Sequence, residues 1–450
     1  MDTSLFQRAR LIPISGIKGD IDQERRATSA FLAVLEVVPE FTKKLLKPLG
    51  APRGDVTAFI EPEFTLLERK VRPDGLLVVK RGTTIWSVAI EVKTNANLLN
   101  GEQINSYLDV CRENGIDALL TISNEVLTLS GQHPTEGVDK KKTRKVSLHH
   151  KSWISILSEA QVEKLHRGVE DKEQAWILGE LIRYLEDPAS GAQEFNDMGS
   201  HWISVRKAAS NGTLSANDES VMDVVKKYES LLRYASFKLA SRLGVEVEPV
   251  VTKGAITEPQ KYLKEAASNL ASNSHLRGAI RVADTVAPLE VVVDLRAKQI
   301  LCTIRIEAPK EGRPLTRVNW LLRQLKSSSA ETRIETWVKR GREPVEAWLL
   351  SEVNAKPELL VPKDPSREIS FFTVTLIQTM GTNRREGDNS FVLSFMNALE
   401  NAYQGTLQNM KVWVPQAAKL TQPLAQGHDD KNSITLIPDV DAPIVPETSA

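Results

Sequence analysis

The sequence predicts a multidomain protein of mixed α/β and α+β class, and three observations carry that expectation. A chain of 450 residues exceeds what one hydrophobic core organises, so two to four domains are expected. Residues 71–79 and 86–94 are dense in Val, Ile and Leu, flank the turn-forming Lys80, Arg81 and Gly82, and read as a β-hairpin. From residue 153 the apolar spacing changes to intervals of three and four, the period of helices, and from about 276 it returns to strand-like runs.

Taken in order, an amphipathic helix opens near residue 19 and runs to about Leu46, with Asp20 or Asp22 as N-cap candidates. The hairpin follows. A loop over 94–101 then leads to a helix from Glu102 to about Glu113, a short apolar strand over 117–123, and a strand over 146–150. Residues 153–244 read as helices, with Trp153, Trp176 and Trp202 on apolar faces as core anchors, and 245–257 as a connector. An α+β unit follows, with strands over 276–282, 289–295, 299–306, 332–338 and 369–376, and helices over 315–325 and 390–403, the first opened by Pro314. The expected division is therefore 1–152, 153–257, 258–421, and a proline- and acid-rich tail over 422–450 that should be disordered.

The chemistry concentrates in the hairpin. Asp74 and Glu91 are acids set in apolar strands, where unpaired charge is costly. Two carboxylates held within a few ångströms repel unless a cation lies between them, and oxygen-only ligands favour Mg²⁺ or Mn²⁺. Lys93 projects from the same strand face as Glu91, because strand side chains alternate with period two. A metal beside an ammonium group suits phosphodiester hydrolysis, since both offset the charge that develops on the phosphate. Gln103 and Tyr107, four apart, share one face of the following helix.

Pro73-Asp74, Glu91-Val92-Lys93 and the Gln103/Tyr107 pair together resemble the PD-(D/E)xK nuclease superfamily, in its RecB-like QxxxY variant, over roughly residues 15–160. The resemblance implies a restriction-endonuclease-like αβββαβ core and a Mg²⁺-dependent (or Mn²⁺-dependent) nuclease acting on DNA, with RNA left open, in a setting such as bacterial defence against phage or DNA repair. It implies that Asp74, Glu91 and the Val92 carbonyl hold the metal, that Lys93 assists the attacking water, and that Gln103 and Tyr107 position Lys93 or the phosphate. Glu24 occupies the place of a further metal ligand near the start of the first helix, with Glu36 and Glu63 as rivals. The alternative is a noncatalytic module of the same fold that binds nucleic acid or a protein partner.

Charge is balanced, 58 basic against 58 acidic residues, so nucleic-acid contact must come from local patches. Lys140, Lys141, Lys142, Arg144 and Lys145 form one, in a loop suited to a phosphate backbone. A second spans 310–342, where nine Lys or Arg residues face three acids; Arg313, Arg317, Arg323, Arg340 and Arg342 are the arginines in it worth testing, and it could meet nucleic acid or an acidic partner protein. No apolar run reaches eighteen residues and the start lacks a basic-then-apolar leader, so a cytoplasmic protein without membrane spans is expected. Two cysteines, Cys111 and Cys302, exclude a disulfide framework. Neither a GxGxxG or GxxxxGK phosphate loop nor an HExxH or GxSxG motif occurs, which argues against nucleotide-driven, zinc-protease and serine-hydrolase chemistry. The histidine pair 149–150 and His201 read as structural or exposed.

Overall fold

Pro39 shapes the N-terminal helical segment. One helix to Leu46 was expected; instead α1, Gly19–Val37, ends and α2, Pro39–Leu46, begins, with Val38 between them at φ −112° and ψ 87°. Proline lacks the N–H that would continue the ladder and pushes its predecessor out of the α region. Neither expected N-cap is used: the Lys18 N–H donates to Asp22 Oδ2 at 3.0 Å, so Asp22 serves the helix from within its first turn. This computed structural model describes residues 10–129 and 133–415, and the tail expected to be disordered lies outside them.

The first sheet is built from β1, Asp55–Ile60, β4, Gly75–Arg81, β5, Thr84–Val92, β6, Ala118–Ser123, and β7, Ser147–Ser152, in spatial order β1-β4-β5-β6-β7. A small separate hairpin, β2, Phe64–Leu66, with β3, Arg69–Val71, precedes β4, and α3, Gly101–Glu113, connects β5 to β6. β1, β4 and β5 pair antiparallel, whereas β5, β6 and β7 pair parallel. Buried on both faces, β5 and β6 carry the near-continuous apolar runs of interior strands. One face, with Val88, Ile90, Leu120 and Ile122, packs into the main core beside Phe31 of α1. The opposite face, with Ala89 and Leu119, packs under α3 against Ile104, Tyr107 and Leu108.

The helical middle follows directly: α4, Trp153–Val162, α5, Lys172–Leu185, α6, Trp202–Asn211, and α7, Glu219–Leu243. Trp153 and Trp202 are buried as expected, but Trp176 is 55% exposed, because it faces solvent from the first turns of α5 while Leu178, Leu181 and Ile182 face inward. Within the expected connector, Val247–Pro249 is a strand, β8, paired with the sheet that follows, because Val247 buries its side chain there.

That second sheet has seven antiparallel strands. After α8, Lys253–Thr257, and α9, Pro259–Asn273, come β9, His275–Val282, β10, Leu289–Asp294, and β11, Gln299–Glu307. The remainder is α10, Pro314–Gln324, β12, Arg333–Val338, β13, Glu346–Leu349, α11, Leu350–Ala355, β14, Ile369–Thr379, and α12, Phe391–Gly405. The order is β13-β12-β14-β11-β10-β9-β8. Alternation in β11, with Ile300, Cys302, Ile304 and Ile306 buried, sets which face meets the core. One hydrophobic cluster runs from Ala27 to Met410, so both sheets and the helices between them share it. No described helix is long and apolar enough to cross a membrane.

Trp202 exemplifies that sharing: its ring centroid lies 4.3 Å from Phe391 of α12 and its Nε1–H donates to the Thr382 carbonyl at 3.2 Å. Replacing a fully buried tryptophan by alanine removes both transfer energy and packing. Trp202→Ala is expected to lower unfolding stability by about 3–5 kcal/mol in urea titration, whereas the exposed Trp176→Ala should change it by less than about 0.5 kcal/mol.

Candidate active site

The candidate site lies where β4 starts and β5 ends, under α3. Gly75 pairs with Ile90, which places Asp74 across from Glu91. Asp74 Oδ2 accepts the Val92 N–H at 2.7 Å, tying the first acid to the strand that bears the second. Glu91 is 1% exposed, and Lys93 Nζ stands 2.8 Å from its Oε1. That contact is a close ion pair of poor hydrogen-bond direction, and no donor meets either Glu91 oxygen in good hydrogen-bond geometry.

Burial pushes the Glu91 carboxyl up to about 8, and the neighbouring Asp74 charge adds to it. Asp74 is raised too, chiefly by burial, with the Val92 N–H pulling the other way. The pair therefore retains a proton at neutral pH while no cation is bound. For Lys93, burial works to lower the ammonium, but Glu91, with Glu24 and Asp74, outweighs it and the net shift is upward. Lys93 is thus held as a cation.

The backbone of Lys93 is fixed twice. Its N–H donates to the Ile122 carbonyl at 2.8 Å, and its carbonyl accepts the Trp153 Nε1–H at 2.9 Å. Glu24 reaches this point from α1, with Oε2 3.4 Å from Lys93 Nζ and Oε1 accepting from Asn97 Nδ2 at 2.9 Å. The same helix holds the loop beyond Lys93: Gln23 Oε1 accepts from Thr94 Oγ1 and Asn95 Nδ2, and its Nε2 donates to the Ala189 carbonyl at 2.6 Å. Gly191, at φ +76°, fits closely here; a Cβ would lie 2.6 Å from Gln23 Oε1 and 2.8 Å from the Thr94 Cβ. Gln23, Asn95 and Asn97 are thus site-supporting residues that the sequence reading missed. Two asparagines just beyond Lys93 were their only signal.

Gln103 and Tyr107 come together as the spacing implied, with Gln103 Nε2 donating to Tyr107 Oη at 2.9 Å. Neither bonds Lys93, one of the two partners, Lys93 or the phosphate, expected for them. Tyr107 Oη donates instead to the Arg72 carbonyl at 3.1 Å, because the hydroxyl meets the chain just ahead of Asp74. Burial and the nearby Glu91 charge hold the Tyr107 phenol well above its ordinary range, so it stays a donor. Of the rivals to Glu24, Glu36 Oε2 accepts the Ala58 N–H and Glu63 pairs with Lys70 and Arg72, so each is engaged elsewhere.

Among the described residues, no group of three or more His, Cys, Asp or Glu side chains converges as a metal cluster. What the site presents is a buried, facing carboxyl pair with an ammonium beside it. That set fits a hard cation, which binds through one or two carboxylates and keeps several waters. Asp74 and Glu91 would hold it.

The basic run beyond the sheet is only partly free. Lys142 Nζ lies 2.6 Å from Asp109 of α3 and is anchored, while Lys140, Lys141, Arg144 and Lys145 are exposed. In the second basic patch Arg317 is 8% exposed and donates to the Lys310, Gly312 and Ile369 carbonyls, so it braces the fold rather than offering a contact.

A polar row extends across the sheet from Glu91, whose register partner is Thr121, itself paired with His150. The Thr135 N–H donates to His133 Nδ1, so His133 Nε2 carries the hydrogen and donates to Thr121 Oγ1 at 2.8 Å. Thr121 Oγ1 lies 3.0 Å from His150 Nδ1, and His150 Nε2–H donates to the Glu125 carbonyl at 2.9 Å. One tautomer of each neutral ring satisfies the chain. No protein-family model matches this chain, and no curated protein matches it in sequence.

Burial lowers His133 to about 4 and His150 to about 3, against an ordinary value of 6.5. A depressed folded value means that the unfolded chain takes up protons the native rings refuse, so their contribution is intact above pH 6.5 and drains as pH falls toward 4. Each ring should cost up to about 1.4 kcal/mol per pH unit in that window. Urea unfolding of wild type and His133→Asn from pH 7.5 to 4.5 should give a shallower slope for the variant; equal slopes would remove the network's role.

Proposed function

We propose that the protein is a divalent-metal-dependent nuclease that hydrolyses phosphodiester bonds of DNA, working at Asp74, Glu91 and Lys93. The observation that carries this reading is the buried Glu91 carboxyl facing Asp74, with the Lys93 ammonium 2.8 Å from its Oε1. The likeness of these residues, with Gln103 and Tyr107, to the PD-(D/E)xK superfamily points the same way.

Mg²⁺ or Mn²⁺ held by Asp74, Glu91 and the Val92 carbonyl would supply a polarised phosphate and a water of lowered pKa. The chain's own contribution is positioning and charge. Lys93, kept cationic, offsets the charge that builds on the phosphate oxygens and is no proton acceptor in this state. Trp153 and Ile122 hold its backbone still. Tyr107, through the Arg72 carbonyl, and the Val92 N–H, through Asp74 Oδ2, hold the approach to the acid pair. Lys140, Lys141, Arg144 and Lys145 would neutralise backbone phosphates beyond the reacting one.

Purified protein should cleave one or more members of a panel of DNA and RNA forms under Mg²⁺ or Mn²⁺ and not under chelator. Asp74→Ala, Glu91→Ala and Lys93→Ala should each lose at least about 100-fold in rate, as removal of an electrostatic stabiliser does. Cleavage that survives all three would sink the reading.

The metal should also stabilise the fold by mass action. Because the folded Glu91 value lies above its unfolded one, the metal-free fold pays a penalty that grows as pH rises from 4.5 through about 8, and a bound cation removes it. The Mg²⁺-induced rise in Tm should therefore increase from pH 6 to 8, with apparent affinity gaining up to about tenfold per pH unit. Asp74→Ala should show no such rise.

A further inference from the structure

The β2–β3 hairpin holds a residue that the fold gives no reason to place where it is. Its turn puts Leu67 at φ +48° and Glu68 at φ +65°, the paired left-handed geometry of a type I′ turn, which asparagine and glycine adopt readily and a leucine does not. The β4–β5 turn has a single residue at positive φ, and it is a glycine, Gly82 at φ +57°. Leu67 is also 86% exposed, the most exposed of the large apolar side chains described. A strained backbone that carries an apolar side chain into solvent gains nothing from the fold, and such outliers mark functional positions.

The stem beneath this tip is firmly seated. Phe64 pairs with Val71, and both pack against the apolar cluster under α3. Tyr107 Oη bonds the Arg72 carbonyl, and Glu63 takes up Lys70 and Arg72 across the stem. Arg69 is exposed next to the tip. Two residues separate the end of β3 from Asp74, so the stem and the acid pair form one continuous piece of chain.

We infer that Leu67 is a wedge that enters the base stack of duplex DNA bound at this site. The inference rests on the nuclease reading and adds the substrate form to it. Apolar side chains that intrude between base steps unstack them because a base face is itself apolar and the gap they open lets the backbone bend toward the protein. Here the stem that carries the tip is packed under α3, it leads directly to Asp74, and the exposed Arg69 beside the tip can meet a flanking phosphate.

The test uses the full chain with Ca²⁺ in place of Mg²⁺, and a duplex carrying 2-aminopurine at successive positions. Wild type should raise the fluorescence at one or two adjacent positions severalfold, and Leu67→Gly and Leu67→Ala should lose most of that rise. With Mg²⁺, both variants should cut duplex at least tenfold more slowly while cutting single-stranded DNA within about twofold of wild type. Leu67→Gly should melt a few degrees higher than wild type, since glycine relieves the turn; this separates lost function from lost folding. Unchanged duplex unstacking and cleavage in both variants would overturn the wedge alone and leave the nuclease reading standing. A wild type that neither binds nor cuts any nucleic acid would overturn both.

Discussion

A carboxyl group that is 1% exposed is costly to ionise, and it can carry charge only if cations stand beside it. Glu91 is in that state, and much of the first sheet's local design answers to it. Lys93 lies on the same face two residues on, Asp74 is brought opposite by the β4–β5 register, and the Val92 N–H between the two acids is spent on Asp74 rather than on a ladder partner. Replacing Glu91 by an apolar residue would relieve the liability. A carboxyl pair in the middle strands of the sheet is costly to ionise unless a cation lies against it.

The same constraint explains why support is drawn from so far along the chain. Glu24 and Gln23 come from α1, Trp153 from the start of α4, and Gly191 from a loop beyond α5. A site made of buried charge tolerates little displacement, because the ion pair and the carboxylate pair both change steeply with distance at low effective dielectric. Elements packed into one continuous core are how that tolerance is met.

Much of this was legible in the sequence, and the parts that were not have identifiable causes. Asp74, Glu91 and Lys93 stood out because charge inside apolar strands is rare, and Gln103 with Tyr107 followed from helical spacing. The bond from Tyr107 to the Arg72 carbonyl could not, since a backbone atom leaves no trace in residue type. The break at Val38 was readable from Pro39 and was overridden by the apolar periodicity on either side. Trp176 was misplaced because a single aromatic on an amphipathic helix fits either edge of its apolar stripe. The row of Thr121, His133 and His150 joins two strands to a loop, a conjunction that only the parallel register of β6 and β7 creates. The hairpin of β2 and β3 was hidden by its turn, whose Leu67-Glu68 is the reverse of the usual signal.

The bond from Trp153 to the Lys93 carbonyl has a consequence for how this molecule can be divided. Trp153 is the first residue of α4, and α4 with Ile156, Leu157 and Ala160 shares the core into which Val88, Ile90, Val92 and Ile122 project. A fragment that stopped at the end of β7 would bare that apolar surface and free the carbonyl that steadies the lysine. The acid-bearing sheet is therefore not a portable cassette: its buried face and the backbone of its lysine depend on the helices that follow it.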